Sequence, residues 1–279
     1  RLEALEGDAG FLDGMERAKR ADKQRLAEYV KRTTGVVLDV DSVFDVQVKR
    51  FHAYKRQLLN VLKVLAVYNR ILSDPTYDPR PTSFVFSGKA AQSYVFAVSN
   101  AQLIYSATEI SEQISVAGAE ASGTSNMKLM MNAAITLGTL DGSNVEISEL
   151  VGPQNIKIFG LHADEVEALR ASGRYYAWDE YNNDREVLGR VVDQLTDGTL
   201  ARLSGNFESI RDYLMADNDP DLVLRDFHSY LQAFHELLDA YGDRRAWNAS
   251  ALHNTAKSGF FSSDRTIREY MADIWHVEA

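Results

Sequence analysis

Phe44-Asp-Val-Gln-Val48 and Ser83-Phe-Val-Phe-Ser87 are two short strand-like runs, and between them Leu58, Leu59, Leu62, Leu65, Val67 and Leu72 recur at helical spacing. Strand, helix, strand in that order predicts a parallel sheet, because parallel neighbours need a long crossover. The segment Asp74-Pro-Thr-Tyr-Asp-Pro-Arg-Pro81 holds three of the five prolines and reads as a surface connection. Working outward, Phe11 to Thr34 has the pattern of a solvent-facing amphipathic helix ended by Gly35. Leu103 to Val116 reads as helical. The small residues Gly118-Ala-Glu-Ala-Ser-Gly-Thr-Ser125 then lead into a second, apolar helix expected over Asn126 to Leu137. Thr139-Leu-Asp-Gly-Ser143 reads as a turn and Asn155-Ile-Lys-Ile-Phe-Gly160 as another strand, followed by a helix near Ala163 to Ser172. After Trp178 the pattern is of helices with short loops. No internal repeat is present.

The 279 residues are 45% hydrophobic and 25% charged, with a formal net charge of −10, which is the balance of a globular domain with a sizeable core. An acidic chain supplies no general attraction to a phosphate backbone, so nucleic acid is not an expected partner. The absence of cysteine excludes disulfides, thiolate metal sites and thiol catalysis. No apolar stretch approaches the roughly 18 residues of a membrane span, and the charged start at Arg1 reads as a cytosolic fragment whose beginning lies elsewhere. The six histidines lack metal-ligand spacing, and no metal site is expected.

Three features carry possible chemistry. Lys49, Arg50, Lys55 and Arg56 place four cations in eight residues where a strand gives way to a helix, either as a solvated basic turn or as an anion site. Cations are disfavoured at a helix N-terminus, which weighs towards a bound anion. The loop Glu120-Ala-Ser-Gly-Thr-Ser-Asn126 is small enough for successive backbone N–H groups to enclose an anion, although capping by Ser125 or Asn126 accounts for the same letters. Gly118-x4-Gly123-Thr124-Ser125 mimics a nucleotide-binding loop but lacks its lysine. Lys128, one helical turn after Thr124, either snorkels to water or, in an apolar pocket, offers a neutral amine to an aldehyde such as pyridoxal phosphate.

Val46 to Leu59, Ser111-Glu-Gln-Ile-Ser115, Glu120 to Lys128, Thr139-Leu-Asp-Gly-Ser-Asn-Val-Glu146 and the ending Ser258 to Tyr270 with Ile274-Trp275 closely resemble the C-terminal half of the glycogen and maltodextrin phosphorylases. The resemblance implies a Rossmann-type α/β domain with helices on both faces, the C-terminal half of a glycosyltransferase-B arrangement, with a helix-rich C-terminal region. Residues 1–177 would form the cofactor-binding part and 178–279 the helical part of the same domain. The implied activity is phosphorolysis of an α-1,4-glucan by inorganic phosphate to release glucose 1-phosphate, in the cytoplasm, with pyridoxal 5'-phosphate held on Lys128 as a Schiff base. By the same resemblance Lys49 and the backbone of Gly123, Thr124 and Ser125 bind the cofactor phosphate. Arg50 and Lys55 hold the substrate phosphate, and Tyr54, Glu120, Ala121 and Ser122 contact the glucosyl unit.

The sequence departs from the family in several places. By the resemblance the chain carries only one half of a two-domain cleft, so alone it is expected to be inactive until the other half is supplied, and a homodimer is expected to lose much of its contact. Ser93-Tyr-Val-Phe-Ala97 joins what the family separates by a helix and a strand, a loss of about 30 residues. Phe96 stands for a tyrosine, Ala53 for a glutamate and Ala133 for a glycine. The competing reading is a non-catalytic remnant that binds phosphate, sugar or a partner chain. Half of a sugar-nucleotide transferase ranks last, because it would give Lys128 no purpose.

Overall fold

The computed structural model of the chain describes residues 1–88, 97–200 and 207–277. Among these residues five parallel strands, β1 (Val43–Val48), β2 (Thr82–Ser87), β3 (Ile110–Gln113), β4 (Ile135–Gly138) and β5 (Lys157–Ile158), form one sheet in the order β2-β1-β3-β4-β5. Val46 pairs with Val85 on one side and Ser111 on the other, while Gln113 pairs with Gly138 and Gly138 with Ile158. The chain steps from β1 outward to β2 and then returns to the far side of β1. The reversal between β1 and β3 is the point at which open α/β sheets bind ligands, outside the carboxyl ends of their strands.

Helices α1 (Ala9–Thr34), α2 (Gln57–Ser73), α3 (Ala97–Ala107), α4 (Ser125–Met131), α5 (Asn144–Val151) and α6 (Ala163–Ser172) surround or extend the sheet. Then come α7 (Ala177–Asn183), α8 (Leu188–Asp193), α9 (Glu208–Met215), α10 (Val223–Ala240), α11 (Arg244–Lys257) and α12 (Ser263–Glu269). The α/β class and the helical character after Trp178 match the expectation among the described residues. One apolar core joins Val43, Leu59, Leu62, Ile110 and Leu137 of the sheet side to Phe227, Tyr230 and Phe234 of α10. No described helix is long and apolar enough to cross a membrane.

α1 starts at an Asp8 cap and ends at Gly35 with φ 78°, as its pattern predicts. Its face towards the protein is less apolar than expected. Lys23 is buried on Glu109 at 2.9 Å, and the Lys19 amine donates to the carbonyls of Thr108 and Asn132, each at 2.7 Å.

Two expected helices are shorter than their patterns. α3 stops at Ala107, and Ile110 to Gln113 of the expected Leu103–Val116 helix form β3, whose Ser111, Glu112 and Gln113 are polar and yet fully buried. That polarity hides a central strand from a hydrophobicity pattern. The expected helix over Asn126 to Leu137 breaks at Ala133, whose φ of 59° turns the chain into β4. The strand expected over Asn155 to Gly160 pairs only at Lys157–Ile158, and α5 follows the turn that ends at Ser143. The expected junction at Ser93 to Ala97 lies almost wholly outside the described residues.

Candidate active site

The carboxyl ends of β1, β3 and β4 bring three loops together. β1 is buried over Val43 to Gln47, and its continuation carries Lys49 and Arg50 out of the sheet. A helix was expected to begin in this basic stretch, but α2 starts only at Gln57, preceded by a single 3-10 turn over Ala53–Lys55 and by Arg56 at φ 55°. Arg56 is not part of the cation cluster. Its fully buried guanidinium donates to the carbonyls of Ile114 at 2.6 Å and Ser115 at 3.2 Å and pairs with Asp226 at 2.7 Å. These bonds fasten the β1 loop to the β3 loop and to α10. Val116 N–H donates to the Tyr54 carbonyl at 3.0 Å, and Gln47 donates to the Lys55 carbonyl at 3.1 Å, which fixes the backbone beside both side chains.

The β3 loop is shaped by the β4 loop. Asp141, 5% exposed, accepts from the Ser115 hydroxyl at 2.7 Å and from the N–H groups of Gly118 and Glu120, each at 2.9 Å. Ser143 donates from its N–H to the Ser122 carbonyl at 2.7 Å, and Asn126 donates to Ser143 at 2.7 Å and Asn144 at 2.9 Å. Gly142, with φ 53°, passes so close to this loop that a Cβ would lie 2.4 Å from the Ser122 carbonyl oxygen. Gly123 at φ 88° turns the backbone into α4. Thr124 is at the N-cap of that helix without a side-chain bond and the Ser125 hydroxyl donates to Gln113 at 3.4 Å, while the Asn126 side-chain oxygen accepts from the first-turn N–H of Met127 at 3.0 Å.

Between these loops Lys49, Lys55 and Glu120 converge, although Glu120 lies 65 residues beyond Lys55. The Glu120 carboxylate pairs with Lys55 and lies 4.0 Å from the Lys49 amine; the three side chains are 16%, 10% and 7% exposed, in that order. Burial, and secondarily the neighbouring Lys55 charge, bring the Lys49 amine down to about 8, against the pull of Glu120 and Asp141. Burial also works against a charged Lys55, but hydrogen bonds with Glu120 and Tyr54 and the Glu120 charge outweigh it, so its amine lies above the usual lysine range. The Lys55 amine sits 4.8 Å over the ring of Tyr54, which packs 4.6 Å from His52.

Arg50, Ala121, Ser122 and Thr124 are exposed around this cluster, with Gly123 and Ser125 half-buried. Lys128 stands on α4 one turn after Thr124, its N–H bonded to the Thr124 carbonyl at 3.2 Å. Its side chain is exposed rather than held in an apolar pocket. Among the described residues no group of three or more His, Asp or Glu is placed to hold a metal ion. The sequence pattern gives no role to Asp141, Ser143 and Asn144, and it groups Arg56 with the anion-binding cations although Asp226 takes it. A signal was present for the first three: Thr139 to Asn144 carries four hydrogen-bonding side chains directly after an apolar strand, and all four are buried.

The family description "Carbohydrate phosphorylase" matches residues 1–98 and 95–277. The chain belongs to the carbohydrate phosphorylase family. A glycogen phosphorylase of Bacillus subtilis (strain 168) is 43% identical over 311 aligned positions, covering all of this chain and 39% of the relative. A glycogen phosphorylase of Haemophilus influenzae is 42% identical, over all of this chain and 38% of the relative, and the liver form of Homo sapiens is 38% identical, over all of this chain and 36% of the relative. The chain therefore spans well under half the length of these relatives. The 311 aligned positions exceed the 279 residues of the chain by 32 (311 − 279), so at least 32 positions of the Bacillus alignment have no residue here. The two family matches meet at residues 95–98, between β2 and β3.

Proposed function

We propose that this chain is the cofactor-bearing part of an α-1,4-glucan phosphorylase, which uses inorganic phosphate to release glucose 1-phosphate from glycogen or maltodextrin in the cytoplasm. The observation that carries the reading is the pair of nearly buried lysines, Lys49 and Lys55, sharing one carboxylate at the switch point of the sheet of a phosphorylase-family chain. Two ammonium groups facing one carboxylate leave a net positive pocket, which suits a phosphate dianion.

The residues fit pyridoxal 5'-phosphate. The Lys49 side chain is nearly buried with its one paired carboxylate among the described residues, that of Glu120, 4.0 Å away, the glycine-turned backbone of Gly123 to Ser125 follows Glu120 in the same loop, and the exposed Lys128 amine has no ion pair among the described residues. Lys49 with Gly123, Thr124 and Ser125 would hold the cofactor phosphate, and Lys128 its aldehyde end. When bound, the cofactor would supply a second phosphate group as a proton donor and acceptor beside the substrate phosphate. Lys55 and Arg50 would hold the substrate phosphate against the repulsion of that neighbour, a charge stabilisation that fixed cations supply without reorganising. Tyr54, Glu120 and the backbone of Ala121 and Ser122 would orient the glucosyl hydroxyls, with Asp141 fixing the loop they stand on. Residues 1–177 carry every one of these groups, and 178–279 buttress the sheet through α10. The remainder of the enzyme would close the cleft and contribute to a homodimer.

A second reading, a non-catalytic remnant that binds phosphate, sugar or a partner chain, is favoured by the 32 or more aligned positions that the chain lacks. The two readings separate in one assay: glucose 1-phosphate release from maltodextrin by the cofactor-loaded chain, mixed with the N-terminal remainder of the Bacillus relative. The phosphorylase reading predicts turnover in the mixture and none from either piece alone. A chain that takes up cofactor and never turns over is the remnant.

A further inference from the structure

We infer that Glu120 is an internal counter-ion of the phosphate pocket, held by Lys55 and Lys49 in the free chain and exchanged for an incoming phosphate dianion. The inference deepens the reading above and rests on it. The two ammonium groups are almost withdrawn from water, and among the described residues the only carboxylate paired with either is that of Glu120. Withdrawing such cations without a counter-charge is costly, and Glu120 meets that need from within the chain.

The match is incomplete. One carboxylate faces two ammonium groups, and the Lys49 amine, 4.0 Å away, is beyond hydrogen-bond reach. A phosphate dianion brings two charges and three acceptor oxygens, so it satisfies both lysines where Glu120 satisfies one. The Glu120 backbone does not need to move for the exchange, because its N–H is anchored on Asp141 at 2.9 Å and only the side chain must turn away. Once turned, its carboxylate is free to accept from a sugar hydroxyl, which links arrival of the phosphate to preparation of the sugar site. The phosphate is either free or carried on the cofactor, since both present the same dianion.

Isothermal titration of the 279-residue chain with inorganic phosphate, and separately with pyridoxal 5'-phosphate, tests the exchange in wild type, Glu120→Gln and Glu120→Asp. Gln removes the competing charge, whereas Asp keeps it on a side chain one methylene shorter, which draws it back from Lys55. Tighter binding by about tenfold in Glu120→Gln, with a smaller gain in Glu120→Asp, is expected. A gain for inorganic phosphate that persists after pyridoxal phosphate is loaded assigns the exchange to the free ion, and a gain confined to pyridoxal phosphate assigns it to the cofactor. Wild-type affinity in Glu120→Asp beside a gain in Glu120→Gln overturns the exchange in favour of repulsion at a distance. Equal or weaker binding by both variants also overturns it, while leaving the phosphate pocket standing. Binding of neither ligand by wild type or variants removes the pocket itself, and the inference with it. Thermal melts verify folding, and Glu120→Asp carries the test if Glu120→Gln does not fold.

Discussion

Ala133 holds φ at 59°, a backbone conformation that costs a residue with a Cβ roughly 1–2 kcal/mol and glycine almost nothing. Glycine is what the family resemblance implies at this position, and the turn out of α4 gives a physical reason for it. Replacing Ala133 by Gly should stabilise the chain by about 1 kcal/mol, less the greater entropy of glycine in the unfolded state, as read by urea denaturation. Asp141 is the opposite case, a residue whose environment is complete. Ala at this position strands the Ser115 hydroxyl and the N–H groups of Gly118 and Glu120, and should cost about 3 kcal/mol in the same measurement while weakening phosphate binding. A loss of under about 0.5 kcal/mol would show that the β3 loop is held by something else.

Among the elements, β1, α2, β3 and α10 enclose a second charged cluster: the buried Lys63 amine pairs with Asp45 and, at 2.7 Å, with Glu112, which also accepts from Tyr230 at 2.8 Å. Burial, then the Asp45 charge, push the Glu112 carboxyl up to about 8, with Lys63 pulling the other way. The folded chain then binds a proton there that the unfolded chain releases near 4.5, so this contribution to stability is complete below about pH 4.5 and is lost as the pH rises through about 8. Denaturation midpoints should fall between pH 5 and 8, and Glu112→Gln should flatten that slope; an unchanged slope contradicts a proton on Glu112.

β2 is the other informative element. Among the described residues it is one edge of the sheet, its residues are half-buried or exposed, and Phe86 is 36% exposed, whereas β3 and β4 are buried throughout. The absent 32 or more positions belong between β2 and β3 if they fall where the two family matches meet, and that is room for one helix and one strand. A parallel strand added outside β2 would convert the observed order into the six-stranded 3-2-1-4-5-6 order. Inserting the corresponding Bacillus segment between Tyr94 and Val98 should raise the melting temperature by about 4 °C or more and suppress edge-to-edge association. A lower melting temperature would mean that β2 is already the finished edge.

For the molecule as a whole, the parts legible in the sequence were those written in contiguous residues. The β1, α2, β2 succession carries its own periodicity, and the small-residue loop before Lys128 announces a close backbone approach. What stayed hidden depends on distant partners: Glu112 and Gln113 look like helix surface until the sheet buries them, Arg56 looks like one more cation until Asp226 takes it, and Glu120 meets Lys55 only through the crossover from β1 to β3. On the proposed function, this assembly of loops is a pyridoxal-phosphate site. Incubating the chain with pyridoxal 5'-phosphate, reducing with borohydride and mapping the product by mass spectrometry tests it most directly. A single cofactor adduct on Lys128, lost in Lys128→Ala and diminished in Lys49→Ala, is the predicted result. A folded chain with Lys128 unmodified, or with the label scattered over exposed lysines, would contradict it.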